Sequence, residues 1–294
     1  MPNYILGFDG GGTSCRAAVA SADGRILGRG KSGAANILTD PDTALVNIVD
    51  AARAAFGDAG IDPAHMGSAA AVLGLAGNNV GDAVHYVKQR LPFAKAEIVS
   101  DVLIALEGAL PAGDGAVASL GTGTVYVVRR GAAVSYIGGW GFTIGDLGSG
   151  ARLGQALLQE SVLAFDGIHP SSPLTDAVMA EFHDDPREVV DFARQARPGD
   201  FGRYAPRLFE FAGKGDPVAL HLLKAATTSI DETLDVVVDR GGKPICLLGG
   251  LAVLYRPWLA ERHQSLFVEP LADALTGSVM LAAKHAAAIS EMIA

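Results

Sequence analysis

The sequence predicts a duplicated α/β fold from three observations. Each half of the chain opens with a strand, a glycine turn, a second strand, a hairpin signal and a third strand, and then alternates helices and strands. The length of 294 residues allows two ordinary domains or one large one. Glycine, with 37 residues, gathers in short clusters where a backbone turns sharply or approaches a ligand. We therefore predict an N-terminal domain over residues 1–110 and a C-terminal domain over residues 111–294.

The elements of the first half follow from hydrophobic patterning and turn signals. Asp23 and Gly24 form a hairpin signal between two β-prone runs, and Asp40 followed by Pro41 is a helix start signal. The patterns predict strands over residues 4–8, 16–21, 25–30, 69–75 and 96–100. They predict helices over residues 42–55, 82–90 and 102–109, and the last of these begins immediately after Asp101.

The second half repeats this opening and adds helices. Its predicted strands cover residues 115–120, 124–129, 132–137, 244–248 and 266–268. Its predicted helices cover residues 150–164, 173–182, 186–195, 204–212, 216–240 and 273–289. The helices between about 150 and 212 form an insertion and are a candidate face for a homodimer. The last helix is a candidate to pack back on the N-terminal domain.

Charge, cysteine content and hydropathy exclude several classes of protein. The formal net charge is -9 with a pI near 5.2, and there is no basic stripe of the kind that binds nucleic acid. Cys15 and Cys246 are far apart, which excludes a CxxC metal motif and favours a reducing compartment. No apolar run approaches the roughly 20 residues of a membrane span, and no signal-peptide pattern is present. We expect a cytoplasmic protein that binds neither nucleic acid nor a membrane.

The first glycine turn has the composition of a phosphate site. Residues 9–14, Asp-Gly-Gly-Gly-Thr-Ser, lie between two predicted strands. Glycines let backbone N–H groups approach an anion, and Thr13 and Ser14 add hydroxyl donors. Asp9, at the end of the first strand, is placed to hold Mg²⁺ through water. The alternative is a plain hairpin turn, which rarely needs three glycines.

A second turn of related composition strengthens this interpretation. Residues 119–124, Ser-Leu-Gly-Thr-Gly-Thr, occupy the equivalent position after the first strand of the second half. Two such hairpins at matching positions can face each other across a cleft and grip one triphosphate from both sides. Backbone amides and Mg²⁺ can hold phosphates in this way even in an acidic protein.

Asp101 is the candidate catalytic residue. It stands where a strand ends and a helix begins, a place that directs a side chain into the mouth of a cleft. A kinase acting on small hydroxyl compounds needs a carboxylate that accepts the hydroxyl proton. The alternative role for Asp101 is a helix N-cap, which aspartate favours, and the residues alone leave both roles open.

These motifs resemble a known family. DGGGTSCRAAV, SLGTGTVYVV and ICLLGG are similar to the phosphate and adenosine motifs of the actin-like ATPase and sugar kinase superfamily. GLAGNN, SDVLIALEGA, GGWGFTIGDLGSG, AGKGDPVA and LTGSVMLAA, in this order, resemble the BadF/BadG/BcrA/BcrD ATPase family, which includes N-acetylglucosamine and glucosamine kinases. The resemblance covers essentially the whole chain and implies two ribonuclease H-like domains with a cleft between them.

The resemblance also implies roles for individual residues. Asp101 matches the catalytic aspartate of the family. The positions that contact the sugar are matched by Asn36, Asp101, Thr124, Gly139, Trp140 and Asp146. Thr13 and Thr122 match phosphate contacts, within turns whose other candidate phosphate ligands are Gly11, Gly12, Ser14, Gly121 and Gly123. The adenosine side is matched by Ala212, Gly249 and Gly250. Leu147 departs from the family pattern, because a glutamate usually follows the aspartate at this point.

Three of these residues have other interpretations. Asp146, with Gly145 before it and Gly148 nearby, fits a turn residue. Asn36 fits a residue that stabilises its own turn. Trp140 has glycines on both sides, which favours a sugar-stacking or cleft-lining role over a place in the core. The lone histidines and Cys15 are interpreted as structural.

The resemblance implies phosphoryl transfer from ATP, with Mg²⁺, to the 6-hydroxyl of an amino sugar, N-acetylglucosamine before glucosamine. Asp101 would take the hydroxyl proton, and domain closure would exclude water. A second class is an ATP-driven activator of a partner enzyme, but such activators carry cysteines that bridge a dimer, and Cys15 and Cys246 are not suitably spaced. A third class, a sugar-sensing regulator, would need a DNA-binding segment, and we expect none because the first predicted strand begins at residue 4.

Overall fold

The computed structural model describes the backbone of residues 4–78 and 82–293 and the side chains through residue 287, with the same internal gap. The chain groups into two compact units. One comprises Met1–Gly113 with Glu269–Ala294, and the other comprises Asp114–Val268.

The strands and helices of the described residues alternate along the chain. The strands are β1 (Tyr4–Gly10), β2 (Cys15–Ser21), β3 (Ile26–Ser32), β4 (Ala70–Leu75), β5 (Lys95–Val99), β6 (Gly115–Leu120), β7 (Thr124–Arg130), β8 (Ala133–Gly138) and β9 (Ile245–Leu248). The helices are α1 (Pro41–Asp58), α2 (Ala83–Lys88), α3 (Asp101–Ala109), α4 (Gly150–Phe165), α5 (Pro173–Glu181), α6 (Pro186–Gln195), α7 (Pro198–Gly202), α8 (Ala205–Gly213), α9 (Pro217–Asp239), α10 (Ala252–Tyr255), α11 (Glu261–Gln264) and α12 (Ala274–Ile293).

The first unit is a five-stranded sheet with helices on both faces. The strand order is β3-β2-β1-β4-β5, with β1, β2 and β3 antiparallel and β1, β4 and β5 parallel. Because successive side chains of a strand point to opposite faces, Phe8 packs in a core with Ile48 of α1. Ile5 packs on the other face with Ile104 of α3 and Val279 of α12.

The second unit has a four-stranded sheet in the order β8-β7-β6-β9. This order and the strand directions repeat those of β3-β2-β1-β4, which confirms the predicted duplicated α/β class. Helices α4 to α9 form the insertion between β8 and β9. Its core joins Tyr126 of the sheet to Leu157, Leu208 and Ile230 of α4, α8 and α9.

Some predicted boundaries were wrong. The strand predicted over residues 266–268 is only a single parallel bridge between Ile245 and Phe267. The short helices α7, α10 and α11 were not predicted, because four or five residues carry too little periodicity to detect. Among the described residues, no helix has both the length and the apolar character that a bilayer span requires.

Candidate active site

The first glycine turn joins β1 to β2 and carries two free donors. The N–H of Gly11 donates to the carbonyl of Ser14 at 3.0 Å and closes the turn. Gly12 and Thr13 are exposed, and their N–H groups donate to no acceptor in the described part of the chain. The turn therefore presents two neighbouring backbone donors for an outside ligand.

The backbone around this turn is held in place by hydrogen bonds. The N–H of Ala35 donates to the carbonyl of Gly11 at 2.9 Å, and the N–H of Ala76 donates to the carbonyl of Gly10 at 2.9 Å. Ile37 in turn donates to the carbonyl of Ala76 at 3.2 Å. The carboxyl ends of β1 and β4 are thus tied to the segment that contains Asn36.

Packing does not explain several of the turn glycines. A Cβ added at Gly11, Gly12 or Gly121 would meet no protein atom within 4 Å, and φ at these residues lies outside the left-handed region. By contrast, a Cβ at Gly123 would lie 2.9 Å from Oδ2 of Asp146. Since neither conformation nor neighbours require glycine at the first three positions, the open space beside them suits a ligand.

The second glycine turn joins β6 to β7 and is supported from behind by α4. The N–H of Gly121 donates to the carbonyl of Gly123 at 3.0 Å. The first N–H groups of α4 bind the carbonyls of the turn, Gly150 to Gly121 at 2.8 Å and Ala151 to Thr122 at 3.2 Å. The N–H groups of Thr122 and Gly123 have no acceptor among the described residues. Both turns therefore leave two adjacent amides available.

The end of β9 lies beside this second turn. Gly249 has φ of +96°, and a Cβ there would lie 2.4 Å from the carbonyl oxygen of Leu120, the last residue before the turn. A Cβ at Gly250 would meet no protein atom within 4 Å. Ala212 is 3% exposed and belongs to the core of the second unit, so its predicted adenosine contact stays a prediction.

The N-cap role considered for Asp101 was wrong. Ser100 caps α3, because its Oγ accepts a hydrogen bond from the N–H of Leu103 at 3.2 Å. Asp101 is the first residue of the helix, and its Oδ1 accepts from the N–H of Val102 at 2.8 Å. Burial raises the pKa of the Asp101 carboxyl, the Val102 hydrogen bond opposes that rise, and the charge of Asp9 adds to it.

Asp9 forms an ion pair with Arg16 of the neighbouring strand. Its Oδ2 binds Arg16, the residue opposite it on β2, through Nη2 and through Nε at 3.1 Å. Nη1 of Arg16 also reaches Oδ2 of Asp273 at 3.3 Å. Oδ1 of Asp273 accepts from the N–H of Thr276 at 2.9 Å at the start of α12. Arg16 therefore connects the Asp9 carboxylate to the last helix.

The residues around Asp9 fit a magnesium ion that is held mainly by phosphates. In the described ranges, no three His, Cys, Asp or Glu side chains cluster as a protein-only metal site. Mg²⁺ in nucleotide sites commonly keeps waters and binds one or two carboxylates together with substrate phosphates. Oδ2 of Asp9 is taken by Arg16, which leaves Oδ1 as the one carboxylate oxygen for such an ion.

Asn36 does stabilise its own turn. Its Oδ1 accepts hydrogen bonds from the N–H groups of Leu38 at 3.1 Å and Thr39 at 3.2 Å. Gly77, with φ of +82°, lies so close that an added Cβ would be 2.5 Å from the same oxygen. The Nδ2 group has no acceptor among the described residues and is available to a ligand. Asn79, the last residue of the GLAGNN motif, lies outside the described residues.

The loop after β8 gathers the predicted sugar residues of the second unit. Asp146 adopts φ of 55°, and its Oδ1 accepts from the N–H of Thr124 at 3.4 Å. Gly139 donates to the carbonyl of Thr124 at 3.1 Å, and Oγ1 of Thr124 donates to the carbonyl of Leu147 at 3.1 Å. Trp140 is 69% exposed and so lies outside the core. Asp146 is thus a turn residue in conformation, while its carboxylate faces Thr124.

Each unit therefore assembles part of the predicted site. In the first unit, the glycine turn, the Asn36 segment and Asp101 all lie at the carboxyl ends of β1, β4 and β5, where parallel sheets bind ligands. In the second unit, the glycine turn adjoins Thr124, Asp146 and Gly249. The grip of both turns on one triphosphate stays a prediction.

Sequence reasoning missed Arg16 and Arg152. Arg16 lies seven residues after Asp9, and the strand–turn–strand pattern places it on the neighbouring strand, so its pairing was within reach of the pattern. Arg152 acts electrostatically on Asp146, and no sequence signal indicated this, because the interaction depends on where the tertiary structure places α4.

The chain is similar to known proteins in both sequence and structure. Residues 6–292 match the model of the BadF/BadG/BcrA/BcrD ATPase family. Glucosamine kinase GspK of Vibrio cholerae is 38% identical over 283 residues, which cover 96% of each chain. The structure of a proposed N-acetylglucosamine kinase from Chromobacterium violaceum superposes with a TM-score of 0.88 at 30% identity, over 95% of this chain and 99% of that one.

A more distant structure shares the fold. The ROK family glucokinase of Streptomyces griseus, solved with glucose and AMPPNP, has a TM-score of 0.53 at 20% identity over 97% of this chain and 99% of that one. The family match spans nearly the whole chain, and it includes the glycine turns, Asp101 at the start of α3 and the loop around Asp146. The chain therefore belongs to the BadF/BadG/BcrA/BcrD ATPase family.

Proposed function

We propose that the chain is an amino-sugar kinase that transfers the γ-phosphoryl group of ATP to the 6-hydroxyl of the sugar. The names of its relatives support an amino sugar, since they include a glucosamine kinase and a proposed N-acetylglucosamine kinase. Membership of an ATPase family supports ATP as the donor. Between the two sugars we propose N-acetylglucosamine before glucosamine.

The observation that carries this proposal is that the Asp101 carboxylate is desolvated by burial and is not the cap of α3. Because Ser100 caps the helix, the carboxylate of Asp101 is not needed to satisfy the orphan amides of α3 apart from that of Val102. Its raised pKa makes it a stronger base than an exposed aspartate. In the proposed reaction, Asp101 accepts the proton of the sugar hydroxyl as that oxygen bonds to phosphorus and ADP leaves.

The glycine turns supply the phosphate contacts in this proposal. The paired N–H groups of Gly12 with Thr13 and of Thr122 with Gly123 would donate to phosphate oxygens. Asp9, through Oδ1, would hold Mg²⁺, which neutralises charge on the phosphates when bound. Arg16 keeps the other oxygen of Asp9 occupied and so orients the carboxylate.

The sugar contacts in this proposal come from donors and acceptors that the structure leaves available. Nδ2 of Asn36 would donate to a hydroxyl, and the free oxygen lone pairs of Asp146 would accept from one. The exposed ring of Trp140 offers an apolar face for the sugar. Thr124 and Gly139 shape the loop through their backbone bonds and stay predicted sugar contacts.

The cysteines weigh against the activator alternative. A dimer-bridging iron–sulfur site needs thiolates that reach a partner chain, whereas Cys15 and Cys246 are both buried. Burial, together with the charge of Asp9, raises the pKa of the Cys15 thiol to about 12, so it is protonated at neutral pH. The predicted dimer face between residues 150 and 212 stays a prediction, supported by the exposed side chains of Phe165, Ile168 and Val190.

Asp101→Asn tests the proposal. We expect this variant to bind ATP with nearly unchanged affinity and to lose turnover by at least ~10²-fold, because the amide cannot accept the proton. Sugar-dependent ADP release measures turnover, and calorimetric titration measures ATP affinity. Asp62→Asn is the matched control, since Asp62 only caps the turn of Pro63–Ser68 and its variant should keep full turnover.

Two outcomes would contradict the proposal. Full turnover in Asp101→Asn would remove the assigned base. Failure of the unaltered protein to release ADP with any amino sugar, in the presence of ATP and Mg²⁺, would remove the kinase function itself.

A further inference from the structure

Tyr255 is a buried side chain whose hydroxyl group reaches the loop around Asp146. It ends α10, the short helix that follows β9, and it is 0% exposed. Its ring packs edge-on against Phe209 of α8, with the ring centroids 4.9 Å apart. Its Oη donates a hydrogen bond of 2.6 Å to the carbonyl of Gly148, which lies 107 residues earlier in the chain. A packed ring therefore holds this hydroxyl against the loop.

Two hydroxyl groups bind consecutive carbonyls directly after Asp146. Oγ1 of Thr124 donates to the carbonyl of Leu147 at 3.1 Å, and Oη of Tyr255 donates to the next carbonyl, that of Gly148. The two donors belong to β7 and α10, which are distant in sequence. Because the backbone after Asp146 is bound from two separate elements, its position depends on both hydrogen bonds.

The backbone contacts of Gly148 transmit its position to Asp146. Gly148 has φ of +74°, and a Cβ there would lie 2.6 Å from Cγ1 of Ile230 in α9, so its backbone lies directly against that helix. The next residue, Ser149, donates its N–H to the carbonyl of Asp146 at 3.0 Å. This bond closes a tight turn between the two residues, so a shift of Gly148 would also move the Asp146 carboxylate.

Packing alone does not require the hydroxyl of Tyr255. Phenylalanine has the same ring and would fill the same space in the core. A buried hydroxyl, by contrast, costs free energy unless it is hydrogen-bonded. What tyrosine adds at this position is therefore the hydrogen bond to Gly148.

The turn after β9, which carries the predicted adenosine contacts, does not depend on this hydroxyl. The N–H of Leu251 donates to the carbonyl of Leu120 at 3.0 Å, and the N–H of Ala252 donates to the carbonyl of Gly249 at 3.1 Å. Both are backbone bonds. Removal of the Tyr255 hydroxyl should therefore loosen the loop around Asp146 and leave this turn in place.

We infer that Tyr255 is a positioning residue for the sugar site and acts through Gly148. The inference rests on the proposed function, in which Asp146 contacts the sugar. With the hydroxyl bond in place, the loop holds the Asp146 carboxylate where a sugar hydroxyl can donate to it. Without that bond, part of the binding free energy goes into ordering the loop. Loss of one hydrogen bond should weaken sugar binding about three- to tenfold.

Tyr255→Phe tests the inference by kinetics. We expect the KM for the amino sugar to rise about three- to tenfold, because the loop that carries Asp146 is no longer held. The Kd for ATP, measured by calorimetric titration without sugar, should stay unchanged. The turnover number should change less than KM, since Asp146 is not the proposed proton acceptor. A merely structural role for the hydroxyl would not separate sugar from nucleotide in this way.

Amide hydrogen exchange measures the same loop without any substrate. The N–H groups of Gly145 and Ser149 donate within the loop, to the carbonyls of Gly141 and Asp146. In Tyr255→Phe, opening of the loop no longer breaks the bond to the Gly148 carbonyl. We therefore expect peptides covering residues 139–149 to exchange about three- to tenfold faster than in the unaltered protein.

Tyr126→Phe provides the matched control. Tyr126 is 2% exposed and lies in the same core, but its hydroxyl has no hydrogen-bond partner in the part of the chain that the structure describes. Its variant should keep the sugar KM and the exchange of residues 139–149.

Three outcomes in Tyr255→Phe would each overturn the inference: an unchanged sugar KM, unchanged exchange of the loop, or an equal loss of affinity for sugar and ATP. Absence of turnover with every amino sugar in the unaltered protein would instead contradict the proposed function. The exchange measurement would still decide whether the Tyr255 hydroxyl holds the loop.

Discussion

Gly12→Ala separates what the fold requires at the first glycine turn from what a ligand requires. φ at Gly12 lies outside the left-handed region, and an added Cβ would meet no protein atom within 4 Å. The folded state therefore accepts alanine without strain. Because alanine also restricts the unfolded chain, the free energy of unfolding should rise by about 0.4–1 kcal/mol.

The same methyl group should weaken nucleotide binding. It would stand beside the N–H groups of Gly12 and Thr13, which have no acceptor in the described part of the chain. If these amides bind phosphate, a displaced phosphate loses at least one hydrogen bond to a charged group, worth about 1.5–3 kcal/mol. That loss corresponds to a roughly 10- to 100-fold weaker affinity for ATP.

Gly30→Ala is the matched control for this prediction. A Cβ at Gly30 of β3 would lie 2.1 Å from the carbonyl oxygen of Ala51 in α1, so the helix must move and the protein should lose about 1–3 kcal/mol of stability. Urea denaturation measures stability, and calorimetric titration measures ATP affinity. Unaltered ATP affinity in Gly12→Ala would refute the proposal that the first glycine turn binds phosphate. A Gly12→Ala protein less stable than the unaltered one would refute the conclusion that the folded state has room for the added methyl group.

Two further predictions concern the titration of Asp101 and a buried, hydrogen-bonded histidine. Burial raises the pKa of Asp101, so kcat/KM should fall on acidification at a pH above the ordinary aspartate value of 3.8, because the base becomes protonated. The same raised pKa means that ionised Asp101 destabilises the fold. Asp101→Asn should therefore gain stability relative to the unaltered protein as the pH rises through the raised pKa. His263, 2% exposed, hydrogen-bonds Asp231 through Nδ1 at 3.0 Å and Asp235 through Nε2 at 2.9 Å, so His263→Asn, which cannot keep both bonds, should lose about 1–3 kcal/mol of unfolding free energy in urea titrations. His183→Asn, with an exposed histidine, should lose almost none.

The order of elements was predictable because it depends on local patterns. Period-two apolar runs, the Asp23-Gly24 hairpin and the cap at Asp40 are all readable within a few residues, and the structure has α1 begin at Pro41 with Asp40 as its cap. The wrong strand over residues 266–268 shows the limit of such patterns. That apolar run pairs with β9 through one bridge alone.

Side-chain roles were predictable only in part. The sequence left Asp101 as either a cap or a base, and the hydrogen bond from Leu103 to Ser100 decided against the cap. Asn36 was open between a turn role and a sugar role. The two hydrogen bonds that its Oδ1 accepts, from the N–H groups of Leu38 and Thr39, show the turn role and leave Nδ2 available. Both roles depended on which side chain makes a given hydrogen bond. Several polar residues at neighbouring positions could have made the same bond, so the sequence left the choice open.

The sequence by itself determined the duplicated α/β class, the two glycine turns and the family to which they belong, because strand alternation and turn chemistry are local properties of the chain. Only the tertiary structure decided which glycines face open space, that α4 supports the second turn, and that the charge of Arg152 acts on Asp146. These facts depend on how helices distant in sequence pack against the sheets, and a charge acts on whatever lies near it in space.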